Sequence, residues 1–431
     1  SPSLPNWLRG FDSRRPLQLT FAGVPPLRLA EEAGAKLSDP RSRVLSVRIL
    51  HTSDWHIGRT FHGWSTLDAL RVVFDAMIAA VRDNHVDVVV VAGDVFDSST
   101  PSAEAVTMLD EVLLGLRKAG ARVVASSGNH DSAARLGAKA AFAAAAGVFV
   151  QTKPQQIAEP VTITDDHGPV HFYAIPFLDP AKMRTEWPDA EPMRSQADAL
   201  RHAMHLVRAD AAARDGRSVV LAHTFVQGAE DAVYDSQRDI LGGLDKVSVP
   251  TFRGVDYAAL GHIHGRMTLD KQVRYAGAPL HYSFSEAGKP RGGWLVDLDA
   301  HGFAGAQWLD LPVPRPLAEL RGTLDDLLSD PGYDSLHDHW ISAVLTDNEH
   351  PMDAMRKLQA RFPHCALLRH EPAQISADDG VSYTELVRGK TDLELIGAFL
   401  TRVRNGIASD ATEADLLRET ISGYENQSLR G

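Results

Sequence analysis

The sequence predicts an α/β fold, and three observations carry that reading. Runs of β-branched residues that are apolar on both faces, such as residues 86–91, alternate with longer segments whose apolar positions recur at helical spacing. An unbroken apolar run suits a strand covered on both sides, the habit of a parallel sheet wrapped by helices. Several of these runs end in short polar sequences rich in Asp, His and Gly, at the strand ends where open α/β sheets bind ligands. Beyond them, Pro312, Pro314 and Pro316 interrupt the chain and set off a smaller segment of mixed helix and strand.

In order, residues 1–44 are broken by Pro2, Pro5, Pro16, Pro25, Pro26 and Pro40 and lack the pattern of a secretory signal. They are expected to be a poorly ordered extension, or to precede a true start near Val44 or Val47. Residues 47–53 read as a strand that runs into Asp54-Trp55-His56-Ile57-Gly58. From Thr66 to about Asn84 the residues Leu67, Leu70, Val73, Phe74, Met77, Ile78 and Val81 mark a helix. Residues 86–91 form a strand with Gly93-Asp94 at its tip, and 103–118 a helix. Residues 121–126 form a strand leading into Gly128-Asn129-His130-Asp131, and 138–146 an alanine-rich helix stopped by Gly147. Further strands are expected at 170–175, at 218–222 ending in His223, at 255–260 ending in Gly261-His262-Ile263-His264, at 273–276 and at 294–298. A long helix fills 195–214. Thr391 and Glu394 have capping-box spacing ahead of a helix that stops near Gly406, and another helix covers 413–421. The apolar faces of these two helices would either pack on the chain's own body or dock a partner.

The bulk numbers narrow the function. With 431 residues there is room for two or three domains, and 44% apolar with 23% charged residues is the balance of a globular chain. No apolar run reaches the roughly 18 residues of a membrane span. The one cysteine, Cys365, excludes a disulfide or a thiolate metal cluster within this sequence and fits a cytoplasmic setting. A formal charge of -12 argues against a surface coated for nucleic acid, yet allows a local basic patch or a site where cations offset carboxylates. The 19 histidines matter through where they fall.

Asp54, His56, Asp94, Asn129, His130, Asp131, His223, His262 and His264 each sit just past a predicted strand. Singly, each has a plain explanation: Asp54 or Asp94 as a helix cap, His223 as a satisfied core histidine, Asn129 and Asp131 as turn residues. His262 and His264 are harder to dismiss, since alternate residues point the same way along an extended chain. If the strands share one sheet, all these side chains meet on one rim. Such a carboxylate, imidazole and amide set exceeds what one ion needs and suits Mn²⁺, Fe²⁺ or Zn²⁺. Two ions share a bridging carboxylate, lower the pKa of a bound water and neutralise phosphoryl charge, while a histidine protonates the leaving oxygen.

The order D-x-H, G-D, G-N-H-D, H, G-H-x-H over about residues 47–300 resembles the calcineurin-like metallophosphoesterases. That resemblance implies a layered sheet core flanked by helices. It implies that Asp54, His56, Asp94 and His264 hold one ion and Asp94, Asn129, His223 and His262 the other, with Asp94 as the bridge. His130 would be the proton donor, with Asp131 orienting its ring. Residues 51–58, 91–97, 276–280 and 284–289 further resemble the SbcD family of nuclease subunits. That likeness implies a manganese-dependent DNA exonuclease and endonuclease of repair and recombination. It would be nucleoid-associated, a homodimer within a heterotetramer with an SbcC-like, SMC-type ATPase. The expected layout is an extension at 1–44, a nuclease domain at 45–311, a small α/β capping domain at 312–385 and a helical, ATPase-docking tail at 386–431. Relatives from archaea carry histidine where this chain has Asp97, so no substrate-shaping role is transferred there. His62 is a candidate substrate contact, with an exposed loop histidine as the alternative. Two other functions stay open: a phosphatase or phosphodiesterase for a small molecule or phosphoprotein, and a catalytically silent scaffold. Asp131 in place of glutamate speaks against a protein phosphatase, and the full set of candidate ligands speaks against a scaffold.

Overall fold

The computed structural model describes residues 46–230, 233, 246–372, 389–403 and 408–428. The expected extension at 1–44 lies outside the described residues, as do 373–388, which include the expected capping-domain boundary, and Gly406, the expected helix stop. Strand β1 (Val47–Thr52) is followed by a hairpin of two short strands, β2 (Thr60–Phe61) and β3 (Trp64–Ser65). Its turn is His62-Gly63, both at positive φ, which matches the twist of a tight hairpin. Next come α1 (Leu67–Asp83), β4 (Val88–Ala92), α2 (Ala103–Lys118), β5 (Arg122–Ser126), α3 (Ala133–Leu136), α4 (Ala140–Ala145) and β6 (Val148–Gln151). The chain continues through β7 (Val161–Asp165), β8 (Gly168–Ala174), α5 (Pro180–Glu186), α6 (Gln196–Ala212), β9 (Arg217–His223) and β10 (Tyr257–Gly261). Then follow β11 (Met267–Asp270), β12 (Val273–Tyr275), β13 (Gly292–Asp299) and β14 (Gly302–Asp310). Past the prolines lie β15 (Leu317–Gly322), α7 (Leu324–Ser329), β16 (Trp340–Leu345), α8 (Ala354–Arg361) and β17 (Cys365–His370), then the helices α9 (Asp392–Val403) and α10 (Ala411–Ser428).

The expected layered sheet core is present, and it is built from two mixed six-stranded sheets. Their strand orders are β14-β13-β1-β4-β5-β6 and β11-β12-β10-β9-β8-β7. Each has four adjacent parallel strands, with antiparallel strands added at one edge in the first sheet and at both edges in the second. Alternate residues of a strand face opposite ways, and the packing follows that rule. Val88 and Val90 of β4 join Val219 and Leu221 of β9 in a core between the sheets. Val89 and Val91 turn the other way, onto Phe74, Met77 and Val112 of α1 and α2. In the second sheet Val220 and Ala222 face Leu200, Ala203 and Val207 of α6. The layers are therefore helix, sheet, sheet, helix. A strand covered by helices on one side and a sheet on the other reads like one covered by helices on both, so the apolar pattern alone could not separate these cases.

Local signals set the helix ends. Ser102 caps α2 through the Ala105 amide, and Ser195 with Asp198 forms a capping box on α6. Thr391 and Glu394 do the same for α9, as expected from their spacing. Gly147, at φ 81°, follows α4 in the left-handed conformation that ends helices. The last helix runs past its expected end, to Ser428. Strands β15, β16 and β17 pair in parallel as a separate small sheet, with Leu320, Ile341, Ala343 and Leu345 packed on α7 and α8. The edge strand β14 escaped the sequence reading because glycine, alanine and glutamine, with Ala304 and Gln307 exposed, interrupt any apolar run.

At the N-terminal ends of β1 and β9 the two sheets are tied by charge. Arg217 forms a two-pronged pair with Asp165 of β7 (2.5 and 2.9 Å) and also donates to the Asp299 carbonyl of the first sheet. Asp165 in turn accepts the Val47 amide of β1 at 2.9 Å.

Candidate metal centre

The opposite ends of the same strands carry the conspicuous polar residues, divided between the sheets. Asp54, His56, Asp94, Asn129 and His130 follow β1, β4 and β5 of the first sheet, while His223, His262 and His264 belong to β9 and the segment after β10 of the second. The side chains meet on one rim although their strands do not share one sheet: the rim is the seam between two. The backbone is bent hard to make it. Asp54, His56, Asp94 and His262 all have positive φ, a region that side chains other than glycine seldom adopt. Such strain concentrates at functional sites.

Glycines let the loops close. A Cβ on Gly261 would lie 1.9 Å from the Ala92 carbonyl oxygen, and one on Gly128 would lie 2.1 Å from Asp94 Oδ1. Backbone bonds then lock the loops, with the Asp54 amide on the Gly93 carbonyl and the His56 amide on the Asp94 carbonyl.

Among the described residues the side chains gather into three groups, one of which, His56 with Asp97 and His130, shares His56 with the first of the other two. The candidate donor atoms of Asp54, His56 and His264 lie within 4.8 Å of one another, as do those of Asp94, His223 and His262. His56 Nε2 is 3.0 Å from His264 Nε2, and Asn129 Oδ1 is 3.0 Å from both His223 Nε2 and His262 Nδ1. Asp94 stands between the groups: its Oδ2 is 3.6 Å from His56 Nε2 and 3.2 Å from His223 Nε2. Its Oδ1 is occupied by the His130 amide at 2.9 Å, so a single oxygen, rather than both, faces the two groups.

Burial shapes the charges of this cluster. It pushes His262 down to about 3 and His264 well below the ordinary range, helped by their cationic neighbours, so both rings are neutral with a lone pair to offer. Burial also raises Asp54 to about 7. His223 is the exception: burial opposes its proton, but the carboxylates of Asp94 and Asp54 outweigh that and raise it to about 9. The attraction that draws a proton here would equally hold a cation. His223 Nδ1 lies 2.9 Å from the Ala92 carbonyl, which can only accept, so Nε2, facing Asp94 Oδ2 and Asn129 Oδ1, is the nitrogen that would ligate. Four imidazoles, two carboxylates and an amide, with no thiolate among them, fit hard-to-borderline divalent ions.

Around the donors lies a shell that sequence reading missed in part. Asp97 Oδ1 is 3.1 Å from His56 Nδ1 and 3.2 Å from Arg59. Burial alone would raise the Asp97 carboxyl, but His56 and Arg59 hold it below its ordinary value. The Asp97 carbonyl takes the His130 Nδ1 hydrogen at 2.9 Å. This corrects the role expected for Asp131, whose carboxylate instead accepts the amides of Val95, Phe96 and Gly128 and so fixes the loops rather than the ring. On the other side the fully buried pair Glu286–Arg291 (2.5 Å) supports His264, since Arg291 also donates to the His264 carbonyl. Tyr282 anchors the Trp55 carbonyl. Neither Glu286 nor Arg291 sits in a periodic pattern, so no spacing announced them. His62 is not drawn into the cluster; it is exposed at its hairpin turn with its ring against Phe61 and Phe284.

Residues 47–266 match the family described as calcineurin-like phosphoesterase. The chain belongs to that family. As a calcineurin-like phosphoesterase it has a mixed α/β layered core and uses divalent metal. Residues 313–404 of this phosphoesterase match the SbcD C-terminal domain, described as the type 5 capsule protein repressor C-terminal domain. Together the two matches make it an SbcD-like metallophosphoesterase. Among solved structures it is similar to TT1561 of Thermus thermophilus (13% identity, 62% of this chain and 99% of that one, TM-score 0.37). It is also similar to a dimetal phosphatase from Danio rerio (13%, 62% and 100%, TM-score 0.36) and to GAP50, the anchor in the inner membrane complex of Plasmodium (11%, 76% and 98%, TM-score 0.35). No helix among the described residues of the phosphoesterase is long and apolar enough to cross a membrane.

Proposed function

We propose that this phosphoesterase is a two-metal DNA nuclease, a double-strand exonuclease and single-strand or hairpin endonuclease. The observation that carries the reading is Asp94 Oδ2, held between two groups of donor atoms where one carboxylate oxygen can serve both. Asp54, His56, Asp94 and His264 would hold one ion, and Asp94, Asn129, His223 and His262 the other, with Mn²⁺ the preferred metal. When bound, such a pair supplies a nucleophilic water at neutral pH and polarises the phosphoryl oxygens.

The chain's own residues position and move protons. His130 is the proposed proton donor to the leaving oxygen. Its Nδ1 hydrogen is committed to the Asp97 carbonyl, so Nε2 is the nitrogen that gains and gives up the proton. Its side chain is 38% exposed, more open than the buried donors and reachable by a strand of DNA. Asp131 keeps the loop under it in place. His62 is the proposed substrate contact outside the centre.

The SbcD-type match over 313–404 supports DNA as substrate and an SbcC-like, SMC-type ATPase as partner. On this reading residues 45–311 form the nuclease domain, 312–385 a capping domain and 386–431 the ATPase-docking element of a homodimer within a heterotetramer, acting at the nucleoid in repair and recombination. Purified protein with Mn²⁺ is to be given hairpin DNA, bis-p-nitrophenyl phosphate and a phosphopeptide. Cleavage of the first two and not the third is expected; rapid turnover of the phosphopeptide with intact hairpin would sink the reading.

A further inference from the structure

Away from the metal centre, a cavity of about 160 Å³ opens where the β2–β3 hairpin meets the small sheet. Phe61, Trp64 and Trp340 form one wall, with ring centroids 5.2 and 5.7 Å apart. His281, Arg315 and His364 line it as well. Each of these three has a buried nitrogen (His281 Nδ1, Arg315 Nη1, His364 Nδ1) with no hydrogen-bond partner among the described residues. His281 is 8% exposed overall. Buried polar atoms are nearly always paired, so three unpaired ones around one cavity point to a ligand.

We propose that this cavity binds a single nucleobase. Its volume is about half of the lower end for drug-sized ligand pockets, roughly 300 Å³, which limits the occupant to one ring system. Trp64, the exposed ring of that wall, offers stacking, the sequence-tolerant way in which proteins hold unpaired bases, while Arg315 lies over the Trp340 ring at 5.0 Å. The polar groups are of both kinds. Arg315 Nη1 can only donate. His281 Nε2 donates to the Lys289 carbonyl at 2.9 Å, and burial holds the ring neutral, its pKa pushed down to about 4, so Nδ1 can only accept. A donor and an acceptor lining one cavity match the mixed edge of a base. A phosphate would leave the His281 acceptor unsatisfied and would face the Asp68 carboxylate at the rim. Trp64, 41% exposed, leaves the mouth open to a strand.

This inference rests on the nuclease reading for the source of the base, and its test is kept separate from it. Tryptophan fluorescence of the full chain, without metal, is titrated with the four deoxynucleosides and then with a single-stranded oligonucleotide, intact or with abasic positions. Saturable quenching by at least one nucleoside is expected, weakened on the order of 10-fold in Trp64→Ala and in Arg315→Gln. No saturable quenching by any nucleoside, or equal affinity in both variants, overturns the proposal. Competition by the intact but not the abasic oligonucleotide assigns the base to a strand, and competition by neither assigns it to a free nucleoside. Wild-type turnover of bis-p-nitrophenyl phosphate, which carries no base, reports on the metal centre alone. Its absence undermines the nuclease reading while leaving the nucleoside result intact.

Discussion

Replacing Gly128 with alanine tests the centre at its tightest contact. The new Cβ would lie 2.1 Å from Asp94 Oδ1, 2.4 Å from the Asp94 amide nitrogen and 2.7 Å from Asp94 Cγ. Reaching an ordinary 3.4 Å contact requires the carboxylate oxygen to retreat by about 1.3 Å and the backbone nitrogen by about 1.0 Å. The oxygen could swing away by rotation, but the nitrogen cannot, so the loops after β4 and β5 must part. Asp94 Oδ2 would then lose its placement between His56 and His223, and the His130 amide would lose Oδ1. Overpacking of this kind costs about 1–3 kcal/mol of stability. A misplacement near 1 Å at reacting groups costs on the order of 10²-fold in rate. Calorimetric Mn²⁺ titration, turnover of bis-p-nitrophenyl phosphate and a thermal melt are the assays. Gly305→Ala, whose Cβ meets no atom within 4 Å, serves as the control and should change nothing. A folded Gly128→Ala protein with wild-type metal affinity and turnover would refute the reasoning.

Four other outcomes follow from the same geometry. His130→Ala should bind metal normally yet lose about 10²–10⁴-fold in turnover; unchanged turnover removes His130 from proton transfer. In Asp94→Ala both ions should go together, and a metal count still near two per chain contradicts the shared oxygen. Asp97→Ala should weaken Mn²⁺ binding about 10–100-fold, mainly at the ion held by His56, whereas equal loss at both sites would mean a general loosening of the fold. Asp165→Asn should cost about 3–5 kcal/mol in urea unfolding, because it removes the countercharge of the buried Arg217. The sign with pH agrees: Asp165's carboxyl lies below its ordinary value, so its contribution is full above the unfolded pKa and is lost as pH falls through the folded one. Stability of Asp165→Asn that matches wild type at neutral pH would dispose of that clamp.

Much of this architecture could be read from the chain because strands and helices here advertise themselves by period. The run at 86–91, the helix at 103–118 and the polar tips after them needed only alternation and turn chemistry to recognise. What could not be read was which layer covers which face. Val88 and Val89 are the same residue type, yet one meets a second sheet and the other a helix. The site followed the same division. The polar residues past the strands came together as a set, but the groups that hold them did not show in the sequence. Asp131 looked like the partner of its neighbour His130, and only the folded loop reveals that its carboxylate is consumed by three amides. Arg291 and Glu286 find His264 across more than twenty residues of chain, a pairing no local pattern encodes.

The placement of the centre on a seam carries a mechanical consequence. The two halves of the sandwich share an apolar core and are riveted at one end by Arg217 and Asp165, while at the other the candidate donor atoms of both halves face each other beside the His262–Asp54 and His223–Ala92 hydrogen bonds. Divalent ions would act there as the second rivet, so chelation should raise the thermal lability of the protein as well as silence it. Opening should then begin at the catalytic mouth, like a book whose spine is Arg217.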